Sequence, residues 1–246
     1  MSVWQRLTRA YFDAVYNPLY DSTTARLSRY VDSQKEMAAL LRVEGQHRVL
    51  CVGLGTGNEL TSLRARASEL DIVGVDVSPA ALTRARRKPA GQGTAFALMD
   101  AQQLAFRSAS FDRLLCYHVT DFLQDPATAA AEMMRVLRPG GRFVISFPAG
   151  KEGLGLGTSL LAQGLHNGSP DGASAGRVRG AAAMLLGGFI YLPLMLRPKP
   201  AIFTPGELEL LLRPLGAREC IIESDPVYRD HLVSGIKKQG GESDEA

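Results

Sequence analysis

The chain has 246 residues and a formal net charge of +3, with 46% hydrophobic and 22% charged residues, as in an ordinary soluble protein with room for one sizeable domain. Its Lys and Arg residues form no run with interleaved aromatics, so the mild basic charge does not indicate a nucleic-acid partner. Three cysteines without Cys-x-x-Cys spacing argue against a metal site and a disulfide scaffold. The N-terminus has no apolar signal region, which favours a cytoplasmic protein.

Strands and helices alternate along most of the chain. Apolar runs predict strands at residues 48–53, 71–76, 94–99, 111–117, 141–147, 217–223 and 229–237. Three dipeptides place a capping side chain before a proline at the first helical position, namely Ser78-Pro79, Asp125-Pro126 and Thr204-Pro205. These dipeptides predict helices at residues 79–88, 126–138 and 205–213. Strands joined by helical crossovers favour a parallel sheet with covered faces.

The first strand runs into a glycine turn that is typical of a nucleoside site. Gly53, Gly55 and Gly57 follow the apolar run, and Asp76 ends the second strand 19 positions after Gly57. Glycines let the backbone approach a ligand closely, and a helix that starts after the turn directs its free N–H groups at that ligand. The acid can accept hydrogen bonds from a ribose diol. A dinucleotide site requires Gly-x-Gly-x-x-Gly, whereas Asn58 stands at the third glycine position here.

Four motifs follow one another in the order of a known family. They are the Gly-x-Gly-x-Gly turn, Asp100-Ala101-Gln102, Phe111-Asp112 and Arg135-Val136-Leu137-Arg138-Pro139-Gly140-Gly141. Together they resemble the class I S-adenosylmethionine-dependent methyltransferases, and most of all the ubiquinone/menaquinone-biosynthesis group. The resemblance covers about residues 10–147 and, more weakly, 203–238. It implies an α/β fold with a doubly wound, Rossmann-like, seven-stranded and mostly parallel sheet that ends in an antiparallel C-terminal hairpin.

The resemblance also implies S-adenosyl-L-methionine as the cofactor. The three glycines would form the cofactor turn, Asp76 would bind the ribose hydroxyls, and Asp100 would lie near the adenine amino group. The other cofactor-binding residues that it implies are Val77, Ala101, Gln102 and Tyr117. The chain departs from the family at Cys51, where Asp or Glu is usual. We expect Cys51 to be a small buried strand residue, since free Cys is among the most buried residue types.

His118 and Tyr20 are the candidate catalytic residues. His118 follows the fourth strand, where the family brings donor and acceptor together, and an imidazole can accept a proton near neutral pH. Tyr20 and Asp21 resemble the Tyr-Asp entry of the quinone-pathway enzymes, which covers the cofactor and borders the substrate. For both candidates, local packing is the alternative role. Methyl transfer is an in-line displacement, and it needs a base only where the acceptor must lose a proton.

One insertion stands out from the predicted organisation. We predict an N-terminal helical cap at residues 1–44, the cofactor-binding core at 45–147 and an apolar lid insertion at 148–203. The C-terminal helix and strand pair of the core follow at 204–238, and a disordered tail at 239–246. Within the insertion, residues 181–196 carry no charge. These 16 residues fall short of the about 20 that span a membrane. We expect a lid over an apolar pocket, with a monotopic membrane patch or a dimer surface as alternatives.

The predicted function is methyl transfer from S-adenosylmethionine to carbon or oxygen of a hydrophobic small molecule, which is quinone-like, isoprenoid, polyketide or lipid. Two alternatives stay open. The basic charge and the apolar segment favour a phospholipid N-methyltransferase at the membrane surface, and Cys51 favours a non-catalytic S-adenosylmethionine-binding protein. A peripheral membrane contact and a homodimer also stay open, whereas we expect no nucleic-acid partner and no metal.

Overall fold

A computed structural model describes residues 10–16, 21, 28–150, 201–225 and 229–239. The strands of the described residues are β1 Arg48–Val52, β2 Asp71–Asp76, β3 Thr94–Leu98, β4 Phe111–Cys116, β5 Leu137–Pro148, β6 Ala217–Asp225 and β7 Asp230–Lys237. The helices are α1 Ser28–Leu40, α2 Glu59–Arg66, α3 Pro79–Arg87, α4 Pro126–Val136 and α5 Pro205–Leu212. Shorter helical turns lie at Phe12–Tyr16, Pro89–Gly91 and Thr120–Phe122.

The strands form one sheet in the order β3-β2-β1-β4-β5-β7-β6. The first five strands run parallel, and β7 lies antiparallel between β5 and β6, with Pro148 opposite Asp230. Because β1 pairs with both β2 and β4, the winding reverses at β1, and a crevice for a ligand opens at the carboxyl ends of β1 and β4. The predicted fold class, a mostly parallel Rossmann-like sheet with an antiparallel C-terminal hairpin, is confirmed.

Capping side chains determine where three helices begin. Ser78, Asp125 and Thr204 each accept a hydrogen bond from a backbone N–H in the first turn of α3, α4 and α5. Thr204 and Glu207 also form a reciprocal capping box. All three helices start at the predicted proline, since its fixed φ suits the first helical position. The Ser78 cap therefore fixes the chain directly after β2, and the other two caps fix the starts of α4 and α5.

The predicted boundary between α4 and β5 is wrong. The helix ends at Val136 and the strand begins at Leu137, whereas the sequence predicted a helix to 138 and a strand from 141. Leu137 pairs with Phe111, and the register with β4 shifts directly after this pair. The run 138–141 is therefore an irregularity within the strand, where Gly140 takes a φ of +74°. Gly140 and Gly141 indicated a turn before the strand. The residues on both sides of this run nevertheless pair with β4, namely Leu137 with Phe111 and Arg142 with Arg113.

Both faces of the sheet are buried. Leu50 and Val52 point to a cluster that includes residues of α4 and α5, while Val49 and Cys51 point to a cluster that includes residues of α1 and α2. Strands that are covered on both faces read as continuous apolar runs, which explains the composition of β1 and β2. Among the described helices, none has the length and apolar character needed to cross a membrane.

Candidate active site

The glycine turn joins β1 to α2 beside the crevice. Gly53, Gly55 and Gly57 have φ values of +67°, +57° and +74°, a left-handed backbone that glycine adopts without steric cost. A Cβ atom on Gly53 would lie 2.1 Å from Val119 Cγ2, whereas one on Gly55 would meet nothing nearer than the Gly53 carbonyl oxygen at 4.0 Å. The turn therefore packs against the loop after β4 at Gly53 and presents Gly55 to open space, where a ligand can approach the backbone.

Asp76, at the end of β2, holds this turn in place. Its Oδ2 accepts a hydrogen bond from the Gly55 N–H at 2.8 Å, and its Oδ1 accepts one from the Ser78 N–H at 2.8 Å. Burial raises the pKa of Asp76, and these two hydrogen bonds oppose that rise because they stabilise the carboxylate. Each carboxylate oxygen has a second lone pair, so Asp76 can also accept hydrogen bonds from a ribose diol.

The residues predicted to surround the adenine lie at the ends of β2 and β3. Asp100 Oδ1 accepts a hydrogen bond from the Gln102 N–H at 2.9 Å, which makes Asp100 a turn-forming residue as well as a candidate for the adenine amino group. Ala101 is buried, whereas Val77 is 41% exposed. Val77 therefore offers an apolar surface next to the ribose-binding candidate, where an adenine ring can pack.

Two acids of the N-terminal segment contact the same region. Ser78 Oγ donates a hydrogen bond to Asp13, and Thr56 Oγ1 donates one to Asp21 Oδ1 at 2.5 Å. Lys88 Nζ lies 2.9 Å from Asp21 Oδ1. The segment before α1 thus touches both the glycine turn and the start of α3. This position agrees with the covering role that the resemblance implies for the Tyr-Asp motif, although Tyr20 itself lies outside the described residues.

The ends of β1 and β4 carry thiols. Cys51 and Cys116 are fully buried, and burial raises the pKa of both thiols, so both are neutral near pH 7. The prediction that Cys51 is a small buried strand residue is confirmed. Glu59, the first residue of α2, adds a carboxyl group to this region, and burial raises its pKa to about 8.

His118 forms a dyad with Asp230. His118 directly follows Tyr117 after β4 and has a φ of +53°, a strained conformation for a residue with a Cβ. Its backbone N–H donates a hydrogen bond to Ser146 Oγ at 2.7 Å. Its Nδ1 lies 2.7 Å from Asp230 Oδ2, and the Asp230 side chain is only 3% exposed. A neutral imidazole that donates from Nδ1 carries its lone pair on Nε2, so this dyad can accept a proton at Nε2.

Two further side chains flank the dyad. The ring centroids of Tyr117 and His118 are 3.7 Å apart, and one side-chain nitrogen or oxygen atom from each of His118, Asp121 and Asp230 lies within 4.8 Å of the others. A cation could fit among these three groups, but the short Nδ1 contact with Asp230 already occupies the nitrogen on that side. The imidazole of His118 therefore has two carboxyl groups beside it at the end of β4.

The predicted site residues fall into two groups in the structure. The cofactor candidates line the ends of β1, β2 and β3, and Tyr117 and His118 lie at the end of β4, next to the glycine turn through Val119. Sequence reasoning missed Asp13, Glu59 and Asp230. An acid near the start of the predicted strand 229–237 was the signal that the sequence offered for Asp230, and nothing in the sequence pairs it with His118.

Comparisons with known proteins agree with this geometry. Residues 50–145 match a family model described as a methyltransferase domain. The chain is 37% identical over 142 residues to a demethylmenaquinone methyltransferase of Deinococcus radiodurans, covering 56% of this chain and 59% of that protein. It is 33% identical over 141 residues to a demethylmenaquinone methyltransferase of Thermus thermophilus, covering 55% of this chain and 64% of that protein. The matched region thus spans less than two thirds of the length of either relative.

A solved structure shares the fold over almost the whole chain. The magnesium protoporphyrin IX methyltransferase of Synechocystis, determined with bound S-adenosylmethionine, superposes with a TM-score of 0.61 at 12% identity and covers 97% of this chain and 98% of its own. The predicted resemblance to methyltransferases is confirmed for residues 50–145. Residues 50–145 therefore match a methyltransferase domain, and the chain is similar over a little more than half of its length to demethylmenaquinone methyltransferases.

Proposed function

We propose that the protein transfers a methyl group from S-adenosylmethionine to a carbon or oxygen atom of a hydrophobic small molecule, and that His118 is the general base. The observation that carries the proposal is the 2.7 Å contact between His118 Nδ1 and Asp230 Oδ2 at the end of β4. Val119, the next residue, lies against Gly53 of the cofactor turn. A proton acceptor is therefore next to the place where the cofactor binds.

The residues of the chain would align the reactants and remove a proton. When bound, S-adenosylmethionine supplies a methyl group on a sulfonium, and attack by the acceptor forms the new bond to the methyl carbon as the bond to sulfur breaks. Asp76 and the glycine turn hold the ribose end and so limit the motion of the donor. Asp230 keeps the imidazole of His118 oriented, and Nε2 of His118 takes the proton that a phenol or an enol-like carbon must lose.

The two ends of the insertion lie close to the dyad, and their position supports the proposal that the insertion is a lid over this site. The Phe203 N–H donates a hydrogen bond to the Pro148 carbonyl oxygen at 2.9 Å, and Pro148 lies opposite Asp230 in the sheet. The chain between these two residues therefore leaves and returns beside the dyad. Its apolar stretch, 181–196, lies outside the described residues. Two arguments support a lipophilic acceptor. One is the predicted apolar lid over the acceptor pocket, and the other is the quinone-type substrate in the names of the relatives.

A labelled-methyl assay tests the proposed function. The protein is incubated with methyl-labelled S-adenosylmethionine and one of three acceptors: a prenylated hydroquinone, the same hydroquinone without its tail, or vesicles containing phosphatidylethanolamine. We expect label on the hydroquinone ring or its oxygen, more with the tail than without, and no loss of label when EDTA is added. Label on the lipid amine would contradict the acceptor class. Binding of S-adenosylhomocysteine without transfer to any of these acceptors or to a lipophilic cell extract would favour the non-catalytic alternative.

Removing apolar side chains from the lid should reduce turnover without affecting the cofactor. Replacing Leu186, Phe189 and Leu192 with Ser should lower kcat/KM for the tailed acceptor by on the order of tenfold or more, because each residue would lose ~1.5–3 kcal/mol of apolar contact if it were buried. The affinity for S-adenosylhomocysteine, measured by calorimetry, should stay the same. Leu210→Ser is the matched control, since Leu210 is 77% exposed on α5. Equal activities of the triple variant and the control would assign the segment to an interface or a membrane contact.

A further inference from the structure

Glu59 is an acidic side chain at the cofactor crevice for which the sequence motifs provide no role. It is the first residue of α2, directly after the glycine turn, and it is partly accessible to solvent. Desolvation raises the pKa of its carboxyl group to about 8, and nearby Asp76 also raises it. A hydrogen bond from the backbone N–H of Glu59 itself and the charge of Lys88 oppose this rise. The side chain of Glu59 is therefore largely surrounded by protein but keeps some contact with solvent.

Glu59 lies near the carboxyl ends of β1 and β4. The Glu59 carboxylate contributes to the raised pKa of both Cys51, in β1, and Cys116, at the end of β4. It therefore lies within electrostatic range of both thiols. Both thiols are fully buried and stay neutral. Glu59 can therefore provide the negative charge in this region once it loses its proton.

The sheet order relates Glu59 to one end of the cofactor. Asp76 at the end of β2 is the candidate for the ribose, and Asp100 beyond β3 is the candidate for the adenine. In the order β3-β2-β1-β4, the part of the cofactor beyond the ribose then lies over β1 and β4, where Glu59 is. That part is the methionine end, which carries an α-ammonium group and, in the methyl donor, a sulfonium.

We propose that Glu59 binds the cationic methionine end of S-adenosylmethionine and gives up a proton when the cofactor binds. The proposal rests on the cofactor site of the proposed function, and not on the acceptor. A cation favours the charged form of a nearby carboxyl group, so binding and deprotonation reinforce each other. Glu59 would thus provide specificity for the amino-acid part of the ligand, because the ribose and adenine contacts do not distinguish ligands that have this part from ligands that lack it.

Other ionisable groups near Glu59 also affect the pKa values in this region. Asp76 faces it from β2, Lys88 from the end of α3 and the two thiols from β1 and β4, while Arg64 of α2 acts on Cys51. Lys88 Nζ already donates to Asn58 Oδ1 at 2.5 Å and pairs with Asp21 at 2.9 Å. The lysine is therefore shared among several oxygens, and a bound cation can still interact favourably with Glu59.

Calorimetry of Glu59→Gln tests the proposal with three ligands. Gln mimics the neutral carboxyl group, so the fold should keep its thermal stability. For S-adenosylhomocysteine, the wild-type affinity should rise by up to about tenfold per pH unit below pH 8 and level off above it, because the apo carboxyl group is protonated below its pKa and must lose that proton. Titrations in two buffers of different ionisation enthalpy should show about one proton released at pH 7. The α-ammonium group of the free ligand titrates identically in both experiments, so the difference between the two proteins at each pH reports on Glu59.

Glu59→Gln should lose this pH slope and bind S-adenosylmethionine and S-adenosylhomocysteine about tenfold more weakly at pH 8.5. It should bind 5′-methylthioadenosine, which lacks the amino-acid end, as the wild type does. Glu69→Gln, an exposed acid in the loop after α2, is the control and should behave as the wild type with all three ligands. An unchanged pH slope in Glu59→Gln, or an equal loss of 5′-methylthioadenosine affinity, would overturn the proposal. If the wild type bound none of the ligands, the cofactor assignment itself would fail.

Discussion

His118→Asn should lower kcat by about 10²- to 10⁴-fold, the usual contribution of a positioned general base, while the affinity for S-adenosylhomocysteine stays the same. Asn is chosen because it tolerates the positive φ of residue 118 better than most residues do. The backbone N–H can then keep its hydrogen bond to Ser146 Oγ. The change therefore removes the imidazole and leaves the path of the loop after β4 intact. Single-turnover methyl transfer with the acceptor found in the labelled-methyl assay measures the effect.

Asp230→Asn and His47→Gln complete this experiment. Asp230→Asn keeps the size of the side chain but removes the carboxylate that orients His118 Nδ1, so kcat should fall and the pH profile of kcat should change, because an amide does not stabilise the imidazolium in the same way. His47 lies before β1, at the opposite edge of the sheet, where its Nδ1 accepts a hydrogen bond from the Glu44 N–H. His47→Gln should leave kcat unchanged. A full rate in His118→Asn would remove His118 from the mechanism and leave an acceptor that needs no base.

Gly55→Val should lower the affinity for S-adenosylhomocysteine by on the order of a hundredfold or more, which corresponds to about 3 kcal/mol of steric overlap. A Cβ atom on Gly55 meets no protein atom nearer than 4.0 Å, so the new side chain enters the space beside the turn and not the core. Its φ of +57° also disfavours a β-branched residue. Calorimetry and ligand-induced stabilisation against heat measure the loss.

Gly45→Val separates backbone strain from loss of the site. Gly45 has a φ of +50° and would place a Cβ atom in open space, but it lies before β1, away from the carboxyl ends of the strands. Both variants should lose a similar amount of thermal stability, since the strain is the same. Only Gly55→Val should lose ligand binding. Equal affinities of the two variants for S-adenosylhomocysteine would contradict the position of the ligand along the turn.

Local chemistry was enough to predict the scaffold. Ser78, Asp125 and Thr204 each begin a helix where the sequence predicts it, because a cap and a following proline act through bonds to their own first turn. The glycine turn and Asp76 were also predictable, since their spacing reflects contacts across a single strand-turn-helix unit. The start of β5 was not predictable. The same glycines can form a turn or a strand irregularity, and the pairing of Leu137 with Phe111 decides between them.

By itself, the sequence determined the fold class, the methyltransferase domain and the likeness to demethylmenaquinone methyltransferases, because these depend on short motifs in a fixed order. Only the tertiary structure decided which distant side chains meet. The antiparallel register of β5 and β7 brings Asp230 to His118, and the docking of the N-terminal segment brings Asp21 to Thr56. Burial within the packed domain raises the pKa of Glu59. These contacts join residues far apart in the chain, so no local pattern carries them, and the packing of the whole sheet is their physical cause.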